Sequence, residues 1–236
     1  GAGCLPDRLS VQGKGFGGKP VAFANGDSRL QKRGFSDVKS VSVFAIVPDG
    51  AIPTLDWWAI ASLDLGVGLR PYFGLAARAS VSKLDDEPLR QLTRSCISNI
   101  CPKYGIGFRR KHDQGPLFYA AGVNYSSSPG QESPSAYEGA LTVSRWGDLG
   151  MVEEVYKQGV LRDVYPQNYL TEPQLSRMMG RETLREWIDS ESSRGMLTSL
   201  DDRMMLWTVT DSQINSIRDE LWSAGAIFDW KSYLDE

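Results

Sequence analysis

The chain lacks long apolar runs, and among its 236 residues it has one histidine and three cysteines. A membrane-spanning helix needs about 20 predominantly apolar residues, and runs such as 41–47 end well before that length. One histidine is too few for a histidine metal cluster. The three cysteines, Cys4, Cys96 and Cys101, match neither a disulfide framework nor a zinc spacing. The sequence therefore predicts that the protein binds no metal and no cofactor. It also predicts that the cysteines are small, buried hydrophobic side chains.

Positive and negative charges nearly balance over the whole chain, but they are unevenly distributed along it. The net charge is −3, which produces no strong field toward nucleic acid or anionic lipid. Residues 1–35 carry six bases and two acids, whereas residues 148–236 carry 17 acids and nine bases. This layout indicates a basic leading segment in front of an acidic second half and makes nucleic acid an unfavourable partner.

Residues 1–37 stand apart from the rest because they contain eight of the 24 glycines and follow no helical or strand periodicity. Such a segment has too little apolar surface to offset its chain entropy alone. We therefore expect an extended basic arm that lies on a protein partner. The side chains expected to bind that partner are Lys14, Phe16, Lys19, Phe23, Arg29, Lys32 and Arg33.

A phosphate-binding loop is excluded at the glycines of this segment. The run 13–19 resembles a P-loop in composition, but Pro20 follows Lys19 where serine or threonine is required. No strand pattern precedes the glycines, and proline removes a backbone donor that a phosphate would use. The paired carboxylates Asp201 and Asp202 are similarly interpreted as turn or capping residues, and not as a metal or acid–base site.

Short strands interleaved with helices of 8 to 14 residues predict an α+β fold, compatible with a ferredoxin-like sandwich. Residues 38–124 form the first predicted subdomain, the Ser/Pro-rich stretch 125–139 a linker, and 140–236 a helix-rich second subdomain. In the first subdomain we expect the following elements: strands 40–47 and 71–79, helices that begin at Thr54 and Asp85, and a hairpin of strands 104–109 and 117–123.

The second subdomain carries the clearest local signals. Thr171 and Thr183 are N-cap candidates, and Glu186 completes a capping box with Thr183. Residues 204–209 read as a strand, a helix follows from Asp211 to the glycine at 225, and residues 226–230 read as a last strand. The end of the chain is therefore predicted to be a β-α-β unit.

Two further clusters carry functional hypotheses. Exposed aromatic side chains are common interface anchors, and Tyr165, Tyr169 and Trp222 are expected to form such a face in the second subdomain. Around the single histidine, Arg109, Lys111 and Asp113 form the candidate catalytic cluster of an alternative hypothesis.

The favoured function is a non-catalytic protein–protein interaction, with the protein as an accessory subunit of a larger assembly that docks through the arm and the aromatic face. The alternative is a small, transferase-like enzyme that acts on an anionic substrate through the Arg/Lys/Asp cluster. The glycine- and lysine-rich start without an initiator Met resembles the processed N-terminus of an organelle-imported protein. We therefore expect a soluble intracellular protein, with an organelle interior as one possible location.

Overall fold

The computed structural model describes residues 5–47, 56–65, 71–83, 87–112, 115–121 and 152–228. The chain divides into two compact units that are interleaved in sequence. Unit 1 combines Gly1–Leu89 with Lys111–Ala121, and unit 2 combines Arg90–Arg110 with Gly122–Glu236.

Unit 1 is built on one antiparallel sheet whose strands follow the order β2-β1-β4-β5-β6, with β3 also paired to β1. Strands β4, β5 and β6 form a meander, since each pairs with the next along the chain. The strands are β1 (Arg8–Gly13), β2 (Phe16–Gly17), β3 (Val21–Ala22), β4 (Val38–Ile46), β5 (Trp57–Leu65) and β6 (Pro71–Ala77), and the helices are α1 (Phe23–Arg33) and α3 (Pro116–Ala121).

Two small apolar clusters stabilise unit 1. Helix α1 places Leu30 against Leu9 and Val11 of β1, and α3 places Leu117 against Phe44 and Ile60. Successive side chains of a strand point to opposite faces. The α1 cluster therefore uses one face of the sheet and the α3 cluster the other.

The predicted extended arm is not confirmed, because the glycine-rich segment folds against its own unit. Leu9 and Val11 of this segment are buried in register with Val43 and Val41 of β4. The prediction was wrong because it counted apolar residues within the segment alone. Strand β1 obtains apolar partners from β4, which lies beyond the segment, and from Leu30 of α1, a helix within the segment that the sequence pattern did not indicate.

Two secondary-structure predictions in unit 1 are also wrong. The helix expected from Thr54 is strand β5, because an apolar run that fits helical spacing can equally present both faces of a paired strand. A strand is expected at 117–123, but the described residues up to 121 form helix α3. Its first residue, Pro116, is suited to the first turn of a helix. The strands at 40–47 and 71–79 are confirmed as β4 and β6.

Unit 2 contains a four-stranded antiparallel sheet of order β11-β12-β8-β7 and a two-stranded ribbon, β9-β10. A short 3-10 turn, Ser192–Arg194, precedes β11. The strands are β7 (Gly105–Gly107), β8 (Gln167–Leu170), β9 (Met178–Met179), β10 (Glu182–Thr183), β11 (Met196–Ser199) and β12 (Met205–Thr208), and the helices are α2 (Glu87–Ile100), α4 (Val152–Lys157), α5 (Glu172–Leu175), α6 (Leu184–Ser190) and α7 (Ile214–Ser223).

One large apolar core holds unit 2 together, and it includes Leu161, Leu170, Leu184, Trp207 and Leu221, each with no exposed surface. The Trp207 indole N–H, at the centre of β12, donates to the carbonyl of Arg194 at 2.7 Å. Burial of several large side chains, each worth about 1.5–3 kcal/mol, is the main stabilising contribution in this unit.

The capping predictions for unit 2 are confirmed. The Glu186 N–H donates to Thr183 Oγ1 at 3.2 Å, and the Thr183 N–H donates to Glu186 Oε2 at 2.7 Å. This reciprocal pair satisfies two backbone donors at the start of α6. A second capping box, between Thr171 and Gln174, opens α5.

Of the last strand in the predicted terminal β-α-β unit, 226–230, the structure describes residues 226–228. There Ile227 makes an isolated parallel bridge with Leu161 and no extended strand pairing. A ferredoxin-like sandwich is not confirmed, since the described strands of neither main sheet follow its β-α-β-β-α-β order, and β4, β5 and β6 form a meander with no described helix between them. The predicted linker 125–139 lies outside the described residues. No helix in the described ranges is long and apolar enough to cross a membrane.

Candidate functional site

The basic residues predicted to bind a partner converge on the turn between β1 and β2. Arg29 and Arg33 are one helical turn apart on α1, so both side chains reach this turn. Arg29 Nη2 donates to the Gly15 carbonyl at 2.6 Å, and Arg33 Nη1 donates to the same oxygen at 3.0 Å. The two guanidinium groups are thereby fixed beside each other on the surface.

The Phe16 ring lies against both guanidinium groups. The guanidinium carbon of Arg29 is 5.3 Å from the ring centroid, and that of Arg33 is 5.7 Å away. Both distances fall within the range of cation–π attraction, worth about 0.5–1 kcal/mol at exposed sites. We call Lys14, Phe16, Arg29, Lys32 and Arg33 the basic face.

The backbone conformation of this turn favours glycine at position 15, and a side chain there would displace Arg33. The φ of Gly15 is +78°, a conformation that side-chain-bearing residues rarely adopt. A Cβ atom at this position would also overlap Arg33 Nη1. The glycine-rich composition thus allows the turn to approach the arginines closely, a role that the sequence analysis did not assign to it.

Of the other partner-binding candidates in the leading segment, Lys19 is exposed between β2 and β3, whereas Phe23 is partly buried against the α1 cluster. The basic face is therefore made of five of the seven predicted residues. Lys32 and Arg33 also occupy the last turn of α1, where cations favour the helix dipole.

The predicted aromatic face of the second subdomain is not an exposed patch. Tyr165 is 6% exposed, and its ring lies 5.8 Å from that of Phe108. Trp222 is partly buried and packs against the core of unit 2. Tyr169 is partly buried and donates from its hydroxyl to Gln167 Oε1 at 2.9 Å, and burial raises the pKa of this tyrosine. Of these three side chains only Tyr165 is buried; Tyr169 and Trp222 keep part of their surface exposed, and their role as interface anchors stays a prediction.

The alternative catalytic cluster is described only in part, because Asp113 lies outside the described residues. Arg109 belongs to unit 2, where it forms an exposed ion pair with Asp211 at 3.9 Å. Lys111 belongs to unit 1 and is exposed. The hypothesis of a shared substrate site at these three positions stays a prediction.

Unit 2 contains a cleft of about 460 Å³, lined by side chains from α2, α5 and the turn between β11 and β12. In it, Arg203 Nη1 donates to Cys101 Sγ at 2.7 Å, and this hydrogen bond raises the pKa of Arg203. Cys101 is exposed, so the prediction of a buried cysteine is wrong there. The contact joins positions 102 residues apart, and no local sequence signal indicates it.

Asp201 shapes the rim of this cleft. Its Oδ1 accepts hydrogen bonds from the backbone N–H groups of Arg203 and Met204, each at 2.9 Å. The bond from the Arg203 N–H is the main reason that the pKa of Asp201 is lowered. Asp201 is therefore a turn residue, as the sequence predicts.

Comparison of the chain with protein-family models, curated proteins and solved structures finds no match. The described residues contain no group of three or more histidine, cysteine or carboxylate side chains placed to hold a metal ion.

Proposed function

We propose that the protein is a non-catalytic interaction protein, an accessory subunit of a larger assembly, which docks through the basic face of unit 1 onto an acidic protein surface. The observation that carries this proposal is the packing of Arg29 and Arg33 on Phe16. It gathers two permanent positive charges and an aromatic ring at one exposed place.

The two guanidinium groups are suited to recognise carboxylates. An arginine has five N–H donors in a rigid planar arrangement, and in the described chain each of these arginines uses one N–H group on the Gly15 carbonyl. The remaining donors are available for bidentate bonds to aspartate or glutamate. Because the side chains are already held by Gly15 and Phe16, less conformational entropy is lost when a partner binds.

A protein partner fits this face better than a nucleic acid. The net charge of the whole chain is −3, so its long-range field opposes a polyanion. A local basic face on an acidic protein favours short-range contact with a limited acidic patch. Such contacts weaken with added salt, because the Debye length falls from about 10 Å at 0.1 M to about 3 Å at 1 M.

The test is affinity purification of the tagged full chain from its native cells, followed by mass spectrometry and a salt titration of the bound fraction. We expect Arg29→Glu to lower recovery of a stoichiometric protein partner by about tenfold or more, since it introduces repulsion where a charge-assisted bond is lost. The matched control is Arg181→Glu, an equal charge reversal at an exposed position of unit 2.

Three results would contradict the proposal: a partner recovered equally well by Arg29→Glu, recovery of nucleic acid in place of protein, or a chain recovered alone. A melting curve of each variant separates lost docking from lost folding. Arg29→Glu removes one exposed hydrogen bond, so it is expected to change stability by only about 1 kcal/mol.

A further inference from the structure

Strand β6 is an edge strand of the described sheet of unit 1. It pairs with β5 from Leu65↔Pro71 to Ala59↔Ala77, and in the described part of the chain no strand pairs with its other side. An exposed strand edge presents N–H and C=O groups that can pair with another chain.

The residues of β6 that carry this edge can be identified from the hydrogen-bond alternation. The Arg78 N–H donates to the Trp58 carbonyl at 2.9 Å, immediately beyond the ladder. In an antiparallel pair, alternate residues bond to the neighbouring strand, so Gly74 and the other even-numbered residues of β6 face β5. The odd-numbered residues from 73 to 77 therefore turn their backbone N–H and C=O groups away from β5.

Features that normally block edge pairing are absent from β6. It contains no charged side chain, and its only proline is the first residue, Pro71. The β5–β6 register is uninterrupted, whereas the β1–β4 and β4–β5 ladders each contain an irregularity. Helix α3 packs over one face of β6, where Leu117 meets Gly74.

The opposite edge of the same sheet is protected. Strand β2 has only two residues, Phe16 and Gly17, and it adjoins the turn that the basic face occupies. Short edge strands are a common protection against edge pairing. The contrast indicates that β6 is the edge of this sheet suited to pairing.

We propose that β6 is a homodimerisation edge, along which two copies of the chain pair antiparallel about a twofold axis at Gly74. This register places Phe73 opposite Leu75 of the second copy, so both residues exchange two backbone hydrogen bonds. The Ala77 N–H donates to the carbonyl of the second copy's Pro71. Proline has no backbone N–H, so this pair forms one hydrogen bond and not two.

The side chains support a second copy as the occupant, since β6 is complementary to itself in this register. Phe73 and Leu75 share one face with Leu63 and Ala61, their partners on β5. That face is only half-buried in the described residues. Pairing two copies brings the apolar side chains of both β6 strands into cross-strand contact, and within 71–77 no charged side chain takes part. The register sets Arg78 opposite position 70 of the second copy, also an arginine, which confines the paired residues to 71–77.

The test measures the mass of the full-length chain by analytical ultracentrifugation across micromolar concentrations. We expect the wild type to form a dimer. We expect Ala77→Pro to raise the dissociation constant of the dimer by about tenfold or more, because the dimer then loses one hydrogen-bond donor from each of its two symmetric contacts. Ala77 is exposed and its N–H points away from β5, so this proline leaves the β5 ladder intact. The matched control, Ala77→Ser, keeps the N–H and is expected to dimerise like the wild type.

A second measurement does not depend on any variant. Amide hydrogen exchange at Phe73 and Leu75 is expected to slow as the protein concentration rises, whereas exchange at Gly74 and Ala76 is expected to be independent of concentration. A monomer at all concentrations, a dimer insensitive to Ala77→Pro, or a different protein bound along β6 would each overturn the proposal. Arg29→Glu is expected to leave the dimer unchanged, which separates this test from that of the basic face.

Discussion

The two units differ most in how completely they bury their apolar side chains. Unit 2 encloses Trp207, Leu170 and Leu221 with no exposed surface. In unit 1, Val41 and Leu63 lie next to one another on the sheet and remain half-buried. Unit 2 therefore has one large, fully enclosed core and unit 1 only small clusters, although unit 2 also exposes single apolar side chains such as Met178 and Met196. Both proposed binding surfaces lie on unit 1, the unit with the smaller clusters.

The polar groups inside each unit follow the same contrast. Asn168 in unit 2 has no exposed surface. Its Oδ1 accepts from the Tyr165 N–H at 3.0 Å, and its Nδ2 donates to the Tyr165 carbonyl at 2.6 Å. The corresponding feature of unit 1 is a single hydroxyl pair, Ser42 and Ser62, with 2.8 Å between the oxygens. A buried, fully bonded amide fixes one arrangement of the chain around it.

The largest expected effect comes from matched truncations of the two cores. We expect Leu221→Ala to lower the free energy of unfolding of unit 2 by about 3–5 kcal/mol, and Leu30→Ala to lower that of unit 1 by about 2–3 kcal/mol. Leu221 sits in the larger core, where neighbours cannot collapse into the cavity. Hydrogen exchange with mass spectrometry during denaturant titration would assign each loss to its unit. Equal losses would remove the contrast between the two cores.

A smaller difference is expected between the buried polar groups. Asn168→Ala removes the two hydrogen bonds between the Asn168 amide and the backbone of Tyr165, and we expect it to destabilise unit 2 by about 2–4 kcal/mol. Ser62→Ala removes one hydroxyl from the Ser42 pair and is expected to cost unit 1 about 1 kcal/mol. Chemical denaturation of both variants measures the difference. If Ser62→Ala proves the more damaging, the polar interior of unit 1 has been underestimated.

The smallest effect concerns acid sensitivity. The Thr183 N–H bonds to the Glu186 carboxylate and holds the pKa of Glu186 below its ordinary value. The charged form is thus favoured in the folded state, so its stabilisation is complete above the unfolded pKa of about 4.3 and is lost as pH falls through the lowered folded pKa. Helix α1 of unit 1 has Ala22 at its N-cap and no such side chain.

We therefore expect Glu186→Gln to flatten the acid limb of the melting temperature of unit 2 against pH and to leave unit 1 unchanged. Thermal melts between neutral pH and about pH 3 measure this. Glu182→Gln, in the adjacent strand β10, is the control and is expected to follow the wild-type curve. An unchanged acid limb in Glu186→Gln would show that the capping carboxylate does not contribute.

The sequence predicted local structure best where all the residues that determine it lie within one helical turn of each other. The Thr183–Glu186 box, and the helix with Ile217 and Leu221 buried, were both predictable because they depend on residues three or four apart. Strand β1 was not predictable in this way, since its burial depends on β4 more than 25 residues later. On α2, by contrast, Leu92 is 48% exposed and Ile97 is buried, which depends on how the helix packs and not on residues within one turn.

The candidate site was predictable in its residues but not in its form. Charge and aromatic composition singled out Phe16, Arg29 and Arg33 as binding residues. The two arginines bond to the same carbonyl because Gly15 has a positive φ and because α1 begins at Phe23. These features follow from the pairing of β1 with β4, which composition does not contain.

The interleaving of the two units constrains how the chain can be synthesised and divided. Residues 90–110, which include β7 and most of α2, belong to unit 2 but leave the ribosome before α3, the helix that completes unit 1. The Leu117 side chain therefore cannot reach Gly74 until part of the other unit has already emerged. No single cleavage of the polypeptide separates the two units intact, so unit 1 has to complete its folding while it is covalently joined on both sides of α3 to unfinished segments of unit 2.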